Sequence, residues 1–297
     1  MLNQRYTVGI VGLGLIGGSL AAAVRQSGFA SSIIAWDADE GVLSRGGELG
    51  LIDETLPLNG LMQKADIAVL CVPTLSCADL LHDMLAVPGS AACVTDVASV
   101  KGPLLKALAD MDPAQRRRFV PGHPIAGSER SGVDAARADL FMAHRVILTP
   151  ENGVDDAALA VVSGMWAAAG AEVVHMDVDV HDAVLAATSH LPHVLAFALV
   201  DALANSSAQE DIFKFAAGGF RDFTRIASSD PVMWRDVAIA NRDALLATID
   251  DFSGHLAQLR AAIDSGDAQA LETTFRGAKA ARDRYAQDLE QRTRANR

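Results

Sequence analysis

The sequence predicts an α/β fold in which a doubly wound parallel sheet, with helices on both faces, is followed by an all-α part. Three observations carry this. Apolar strand-like runs alternate with helical stretches through the first half of the chain, and a glycine-rich turn joins the first run to the first helical stretch. From about Val178 onward strand signals cease and apolar residues recur at helical spacing.

The first run is Tyr6 to Val11, and Gly12-Leu13-Gly14-Leu15-Ile16-Gly17 follows it as a G-x-G-x-x-G turn. In such a turn Gly12 allows the tight reversal and Gly14 lets backbone approach a pyrophosphate. Gly17 removes the Cβ that would hold the next helix off the sheet. Ser19 to Val24 continues as helix, and Ile33 to Trp36 reads as a second strand ending at Asp37, twenty residues after Gly17. Three glycines alone would also suit an ordinary turn. The order strand, turn, helix, strand, acid is that of a Rossmann-type unit, in which helix-terminal amides face phosphates and the acid meets a ribose. A nicotinamide or flavin dinucleotide is the expected ligand.

Further strands are expected at Asp66 to Val72, stopped by Pro73, and at Ala92 to Val97, followed by a helix from about Val100 to Ala109. Shorter runs follow at Arg118 to Pro121, Arg145 to Pro150 and Ala171 to Met176. Gly12, Asp37, Pro73, Ser99 and His123 all fall just beyond strands, at the carboxyl ends where open parallel sheets bind ligands. A boundary near Val178 divides a dinucleotide-binding domain, 1–177, from a helical domain, 178–297. The Ala-, Leu- and Val-rich helices of the latter would be completed by a second copy, giving a homodimer.

With 297 residues, 50% hydrophobic and 21% charged, the chain is expected to fold compactly. No run is read as reaching the roughly 20 apolar residues of a membrane span. The immediate entry into a strand leaves no room for a signal peptide, and Cys71, Cys77 and Cys93 are odd in number without metal spacing, so a cytoplasmic protein with reduced thiols is expected. The net charge of −12 argues against nucleic acid and against an anionic membrane as partners. It also means that an anionic substrate needs a local basic site.

Three segments carry candidate chemistry. Gly122-His123-Pro124 puts a histidine on a tight loop after a strand, a candidate acid or base near neutral pH, where a turn histidine is the bland alternative. Ser189-His190-Leu191-Pro192-His193 sets two histidines on one face of an apolar helix kinked by proline. H-x-x-H has no third ligand at recognisable spacing, so hydrogen bonding to a polar ligand is read in preference to a metal, beside the alternative of satisfied core histidines. Gly218 to Trp234 holds Arg221, Asp222 and Arg225, with Ser229-Asp230-Pro231 opening a helix. Arg225 before Ile226-Ala227 reads as partly enclosed and suited to a carboxylate. Arg221 beside Asp222 reads as a structural ion pair.

The glycine turn, Thr95 to Lys101, Gly122 to Gly132, Ser189 to His193 and Gly219 to Trp234 occur in the order seen in prephenate/arogenate dehydrogenases, which the chain resembles over nearly its whole length. The resemblance implies NAD-dependent oxidative decarboxylation of prephenate to 4-hydroxyphenylpyruvate, or of arogenate to tyrosine, by a dimer of Rossmann and helical domains. It implies that His123 is the catalytic histidine, that Ser99 orients it near the nicotinamide, and that Arg225 grips the ring carboxylate. His193 is implied as a contact to the substrate's side chain, with His190 beside it, and Ser128, Glu129, Asp222 and Trp234 as residues lining or gating the pocket. The glycine turn, including Leu13, Leu15 and Ile16, would hold the cofactor with Asp37, Val72, Pro73 and Ser99. No residue separates prephenate from arogenate. Another two-domain Rossmann enzyme, such as a β-hydroxyacid dehydrogenase, needs a lysine or His–Glu context that is not seen. A non-catalytic NAD(H) sensor would have no use for His123, His193 and Arg225 together.

Overall fold

The structure, a computed structural model, describes residues 5–128, 130–207 and 209–295. Six strands form the main sheet: β1 Tyr6–Val11, β2 Ala30–Trp36, β3 Glu54–Thr55, β4 Ile67–Leu70, β5 Cys93–Asp96 and β6 Phe119–Val120. Their spatial order is β3-β2-β1-β4-β5-β6 and every pairing is parallel. Helices α1 Leu15–Gln26, α2 Glu40–Glu48, α3 Leu58–Lys64, α4 Cys77–Ala86, α5 Gly102–Ala107 and α6 Pro113–Arg116 alternate with these strands. The period-2 pleat sends alternate residues of one strand into two separate cores. Ile10, Ile33 and Val69 pack with Leu20, Val24 and Trp166, whereas Val11, Ile34 and Leu70 pack with Leu61, Met62 and Leu81. That is the doubly wound arrangement, and it explains why β1 and β4 read as unbroken apolar runs: both faces are covered.

His123 departs from the sequence expectation. It lies on a strand, not a loop. β7 Gly122–Pro124 pairs antiparallel with β8 Arg145–Leu148, which pairs in parallel with β9 Glu172–His175, in a second sheet flanked by α7 Asp156–Ala168. The runs at 145–148 and 172–175 therefore do not extend the main sheet. Pro121 supplies the physical reason. Having no N–H, it cannot continue the ladder of β6, and its carbonyl instead accepts from Thr149 N at 3.0 Å as the chain enters the new register.

From Val178 the chain is all helical, as expected. α8 Val178–Leu185 leads through a π-turn, Ala186–His190, into α9 Leu191–Ala204. The kink expected at Pro192 takes the form of this wide turn just before it, which accommodates the missing N–H. α10 Gln209–Lys214, α11 Gly218–Thr224, a 3-10 turn Arg225–Ser228, α12 Pro231–Ala240, α13 Arg242–Ser265 and α14 Ala268–Ala295 follow. Asp230 caps α12 by accepting from Val232 N and Met233 N, with Pro231 at the first helical position. Packing divides the chain into two units, one ending at Leu245 and one beginning at Leu246. One composition expectation is corrected: Val178–Ala204 is long and apolar enough to cross a bilayer. Its polar residues His181, Asp182 and His190 are buried and hydrogen-bonded within the first unit.

Candidate active site

The parallel strands end on one edge, and their order reverses between β1 and β4, the position at which such sheets open a crevice. Gly12 has a φ of +96°, and a Cβ there would meet the Cys71 carbonyl oxygen at 2.6 Å and Val72 Cγ1 at 2.9 Å. A Cβ on Gly17 would lie 2.1 Å from the Gly12 carbonyl oxygen, so α1 could not start where it does. Around Gly14 the space is open, with nothing within 4 Å of a built Cβ. α1 has no side-chain cap and no acid in its first turn, so its leading amides and the positive end of its dipole are left for an anion. Leu15 and Ile16 pack partly into the core, and the Leu13 side chain is buried. Asp37, just past β2, accepts from Leu13 N at 2.7 Å and Asp39 N at 2.9 Å, which ties the acid to the glycine turn. Pro73 is exposed directly after β4 and Val72. This cradle fits a dinucleotide: backbone amides for the pyrophosphate and a carboxylate for the ribose.

Beyond β5 lies a buried charged cluster that the sequence reading passes over. Lys101, wholly buried, pairs with the wholly buried Asp96 and donates to the Gly122 carbonyl at 2.6 Å. Asp96 also accepts from Gly122 N at 3.1 Å and Ala98 N at 2.9 Å. One ion pair thereby clamps the backbone on the approach to His123. The His123 ring is buried, and its Nδ1 lies 3.0 Å from Nε2 of His181 on α8. His181 Nδ1 in turn lies 2.7 Å from Asp182 Oδ1. The Asp182 carboxylate also accepts from Lys101 N at 3.0 Å and Gly102 N at 2.8 Å. Burial pushes His123 well below the ordinary histidine value, and the Lys101 charge and neighbouring His181 and His190 act the same way. Burial alone would raise Asp182, but the hydrogen bonds from His181 and the two amides outweigh it and hold the carboxyl below its usual value.

Ser99 is half-buried beyond β5 and its hydroxyl hydrogen-bonds no described residue; the described partner of His123 Nδ1 is His181. A His–Asp dipeptide inside an apolar helix, and a lysine between Val100 and Leu104, were the available signals for these buried partners. Residue type and spacing do not show which distant groups they meet.

The helical segments add a second group. Asn241 Nδ2 donates to the Asp182 carbonyl at 2.8 Å and faces His190 Nδ1 at 3.0 Å. Since that amide nitrogen is a donor, His190 Nδ1 accepts, and the neutral ring carries its proton on Nε2. Burial lowers His190 to about 4, so the ring is neutral near pH 7. His190 Nε2 and Trp234 Nε1 are buried without a hydrogen-bond partner among the described residues. His193 stacks on Trp234, with ring centroids 3.5 Å apart, and its Nδ1 lies 2.9 Å from the Ser189 carbonyl. Burial lowers His193 as well, and the Arg225 charge adds to this; the turn that carries Arg225 packs against α9, the helix of His193.

Arg225 itself is exposed and not partly enclosed, because the 3-10 turn that carries it lies on the surface of this chain. Arg221 and Asp222 form an exposed ion pair at 3.6 Å, as read for Arg221. Asp222 is thus engaged at the surface, where such pairs contribute little. Ser128 is exposed and closes its own turn with Arg130 N and O. Glu129 lies outside the described residues.

Comparison with known proteins matches these features to one family. The family model described as prephenate dehydrogenase, nucleotide-binding domain, matches residues 20–175, and that described as prephenate dehydrogenase, dimerization domain, matches residues 177–277. The chain belongs to the prephenate dehydrogenase family. Cyclohexadienyl dehydrogenase of Zymomonas mobilis is 36% identical, over 93% of this chain and 94% of the relative. Prephenate dehydrogenase of Bacillus subtilis is 35% identical, over 95% of this chain and 77% of the relative. Among solved structures, prephenate dehydrogenase from Aquifex aeolicus in complex with hydroxyphenyl propionate and NAD+ superposes with a TM-score of 0.87 at 37% identity. That match covers 95% of this chain and 98% of the other.

As a member of the prephenate dehydrogenase family the chain is an NAD-dependent oxidoreductase, and the Gly12–Gly17 cradle with Asp37 accords with that cofactor. A 2′-phosphate would bring like charge against Asp37, and Ala38, Asp39 and Glu40 offer no cation to receive it. Two like charges about 4 Å apart near a protein surface repel by up to about 4 kcal/mol, less with solvent screening. A preference for NAD over NADP on the order of 10²-fold in kcat/KM is therefore expected, since each 1.4 kcal/mol is tenfold. The double variant Asp37→Ser, Ala38→Arg should erode it. Equal efficiency with both cofactors in the unaltered protein would overturn the role of Asp37.

Proposed function

We propose that this protein catalyses the NAD-dependent oxidative decarboxylation of prephenate to 4-hydroxyphenylpyruvate, with arogenate as the alternative substrate of the same site. The observation that carries the reading is the buried His123, whose Nδ1 is engaged by His181 while Nε2 makes no hydrogen bond to any described residue. Prephenate bears a hydroxyl opposite a quaternary ring carbon that carries a carboxylate, so loss of carbon dioxide with hydride makes the ring aromatic. NAD, when bound, supplies the hydride acceptor.

The residues of the chain do the remaining work. His123 accepts the hydroxyl proton at Nε2 as electron density moves from oxygen into the ring. Its burial keeps it neutral and so able to accept. Arg225 offers two parallel N–H groups to the ring carboxylate and holds the reacting carbon in place. His190 Nε2–H and Trp234 Nε1–H, donors without partners among the described residues, suit the oxygens of the substrate's side chain. A local cation and neutral donors also answer the net charge of −12, which by itself would repel a dianion.

Residues 1–177 form the cofactor domain and 178–297 the substrate and dimerisation domain of this reading, and the functional molecule is a homodimer. Leu256, Ile263 and Phe275 on the last two helices are more than half exposed in the single chain, which supports a second copy covering them. The deciding experiment is to follow NADH formation on addition of prephenate, with arogenate in parallel. Formation of NADH with 4-hydroxyphenylpyruvate is expected, and no NADH from either substrate would refute the assignment.

A further inference from the structure

We propose that His181 and Asp182 are positioning residues that hold His123 in one tautomer, with the proton on Nδ1 and the lone pair on Nε2. The proposal rests on the reading of His123 as proton acceptor and deepens it. It follows from hydrogen-bond direction along a buried chain. The Asp182 carboxylate already accepts two backbone amides, from Lys101 and Gly102, and an ionised carboxylate has only acceptors. The 2.7 Å contact to His181 is therefore a hydrogen bond only if His181 Nδ1 carries a proton. A neutral His181 then presents a lone pair at Nε2. The 3.0 Å contact to His123 in turn requires the proton to sit on His123 Nδ1. In a neutral His123 that leaves Nε2 bare, on the side of the ring away from the chain.

The alternative direction would make His181 an imidazolium that donates to both neighbours and leaves His123 protonated on Nε2. The surroundings disfavour it. The His181 side chain is wholly buried, and the Lys101 ammonium already lies within this enclosed region, paired to Asp96. The Asp182 carboxylate is 13% exposed and accepts two amides, so it is stabilised without an imidazolium beside it, whereas a charged His181 would sit without water. The groups acting on His123 are Lys101, which is paired to Asp96 at the end of β5, His181 on α8, which is bonded to Asp182, and His190 on the π-turn. The arrangement also ties α8 to the start of α5, since one carboxylate both caps Gly102 and orients His181.

The free protein provides the test. Proton–nitrogen correlation spectra of nitrogen-labelled protein, with the His123 signals assigned by their loss in His123→Asn, should show a protonated Nδ1 and a bare Nε2. A predominant Nε2–H form of His123 in the native protein would overturn the proposal. In variants, His181→Phe removes the acceptor and His181→Gln keeps one. His181→Phe should lose roughly 10²–10⁴-fold in kcat, the scale on which loss of a base or of its correct tautomer acts. Its KM for prephenate and Kd for NAD should stay near native, and the His123 tautomer should become mixed. His181→Gln should restore part of kcat. Native kcat in a folded His181→Phe would overturn the relay while leaving His123 as the base. An active His123→Asn would instead remove the reading beneath it. Should His181→Phe fail to fold, the spectrum of the native protein still decides.

Discussion

Replacing His123 by Asn is expected to lower turnover roughly 10²–10⁴-fold, the usual worth of a positioned base, with NAD binding and the fold retained. The fold should survive because the backbone of β7 is held by others. Its carbonyl and amide at Gly122 belong to Lys101 and Asp96, and its ladder to β8 is independent of the side chain. Losing the imidazole leaves His181 Nε2 without its donor, a cost of about 1–3 kcal/mol against a total stability of about 5–15 kcal/mol. Burial changes where the pH dependence lies, not its direction. The sequence alone leads one to expect the rate to fall as pH drops through ~6.5, the reference value of histidine. Burial, Lys101, His181 and His190 all favour the neutral ring and hold its pKa well below that. Protonation removes the lone pair, so the rate must fall as pH falls through the pKa of His123 itself. The acid limb of kcat/KM, which reports the free enzyme, is therefore expected below the ordinary histidine range, with activity still level near ~6.5. The checks are kcat and the NAD Kd of His123→Asn, and a kcat/KM–pH profile of the unaltered enzyme. Near-native turnover in the variant would remove His123 from the reaction.

The second large effect is expected at Arg225. Its turn packs against α9 and its charge acts on His193, which stacks on Trp234, beside two donors without partners among the described residues. In the single chain it is exposed, and an ion pair that stays in water is worth about 0–1 kcal/mol. A substrate carboxylate that displaces water from the guanidinium moves the pair toward the desolvated regime, where truncating one partner costs about 2–5 kcal/mol. Arg225→Ala is thus expected to raise KM for prephenate by roughly 30-fold to several thousand-fold. Arg225→Lys keeps the charge but not the planar fork, and should recover only part of the loss. NAD affinity should be unchanged, because the cofactor's phosphates are assigned to the amides at the start of α1. KM for prephenate and Kd for NAD, measured in both variants, form the check. If Arg225→Ala weakened NAD as much as substrate, or weakened neither, the clamp would lie elsewhere.

Sequence by itself determined the parts of this protein that rest on local chemistry. A strand buried on both faces is largely apolar, so β1 and β4 were legible as runs. Gly12 and Gly17 were legible because a Cβ at either would strike backbone, and the start of α12 because Asp230 and Pro231 satisfy a helix terminus within three residues. The same holds for Asp37, whose distance from the glycines is set by one helix and one strand. His123 was legible as chemistry but not as geometry. Whether Gly122–Pro124 is loop or strand depends on β8, whose Ile147 pairs with His123 from 24 residues away in sequence and which no local pattern names. The base's orientation was likewise a tertiary decision. Lys101, Asp96, His181, Asp182 and Asn241 are charged or polar groups in apolar segments, and a sequence window prices them only as exceptions. Burial removes water as their partner, so they must satisfy one another, and only the packing of α8 and α12 against the ends of the sheet decides which pairs form.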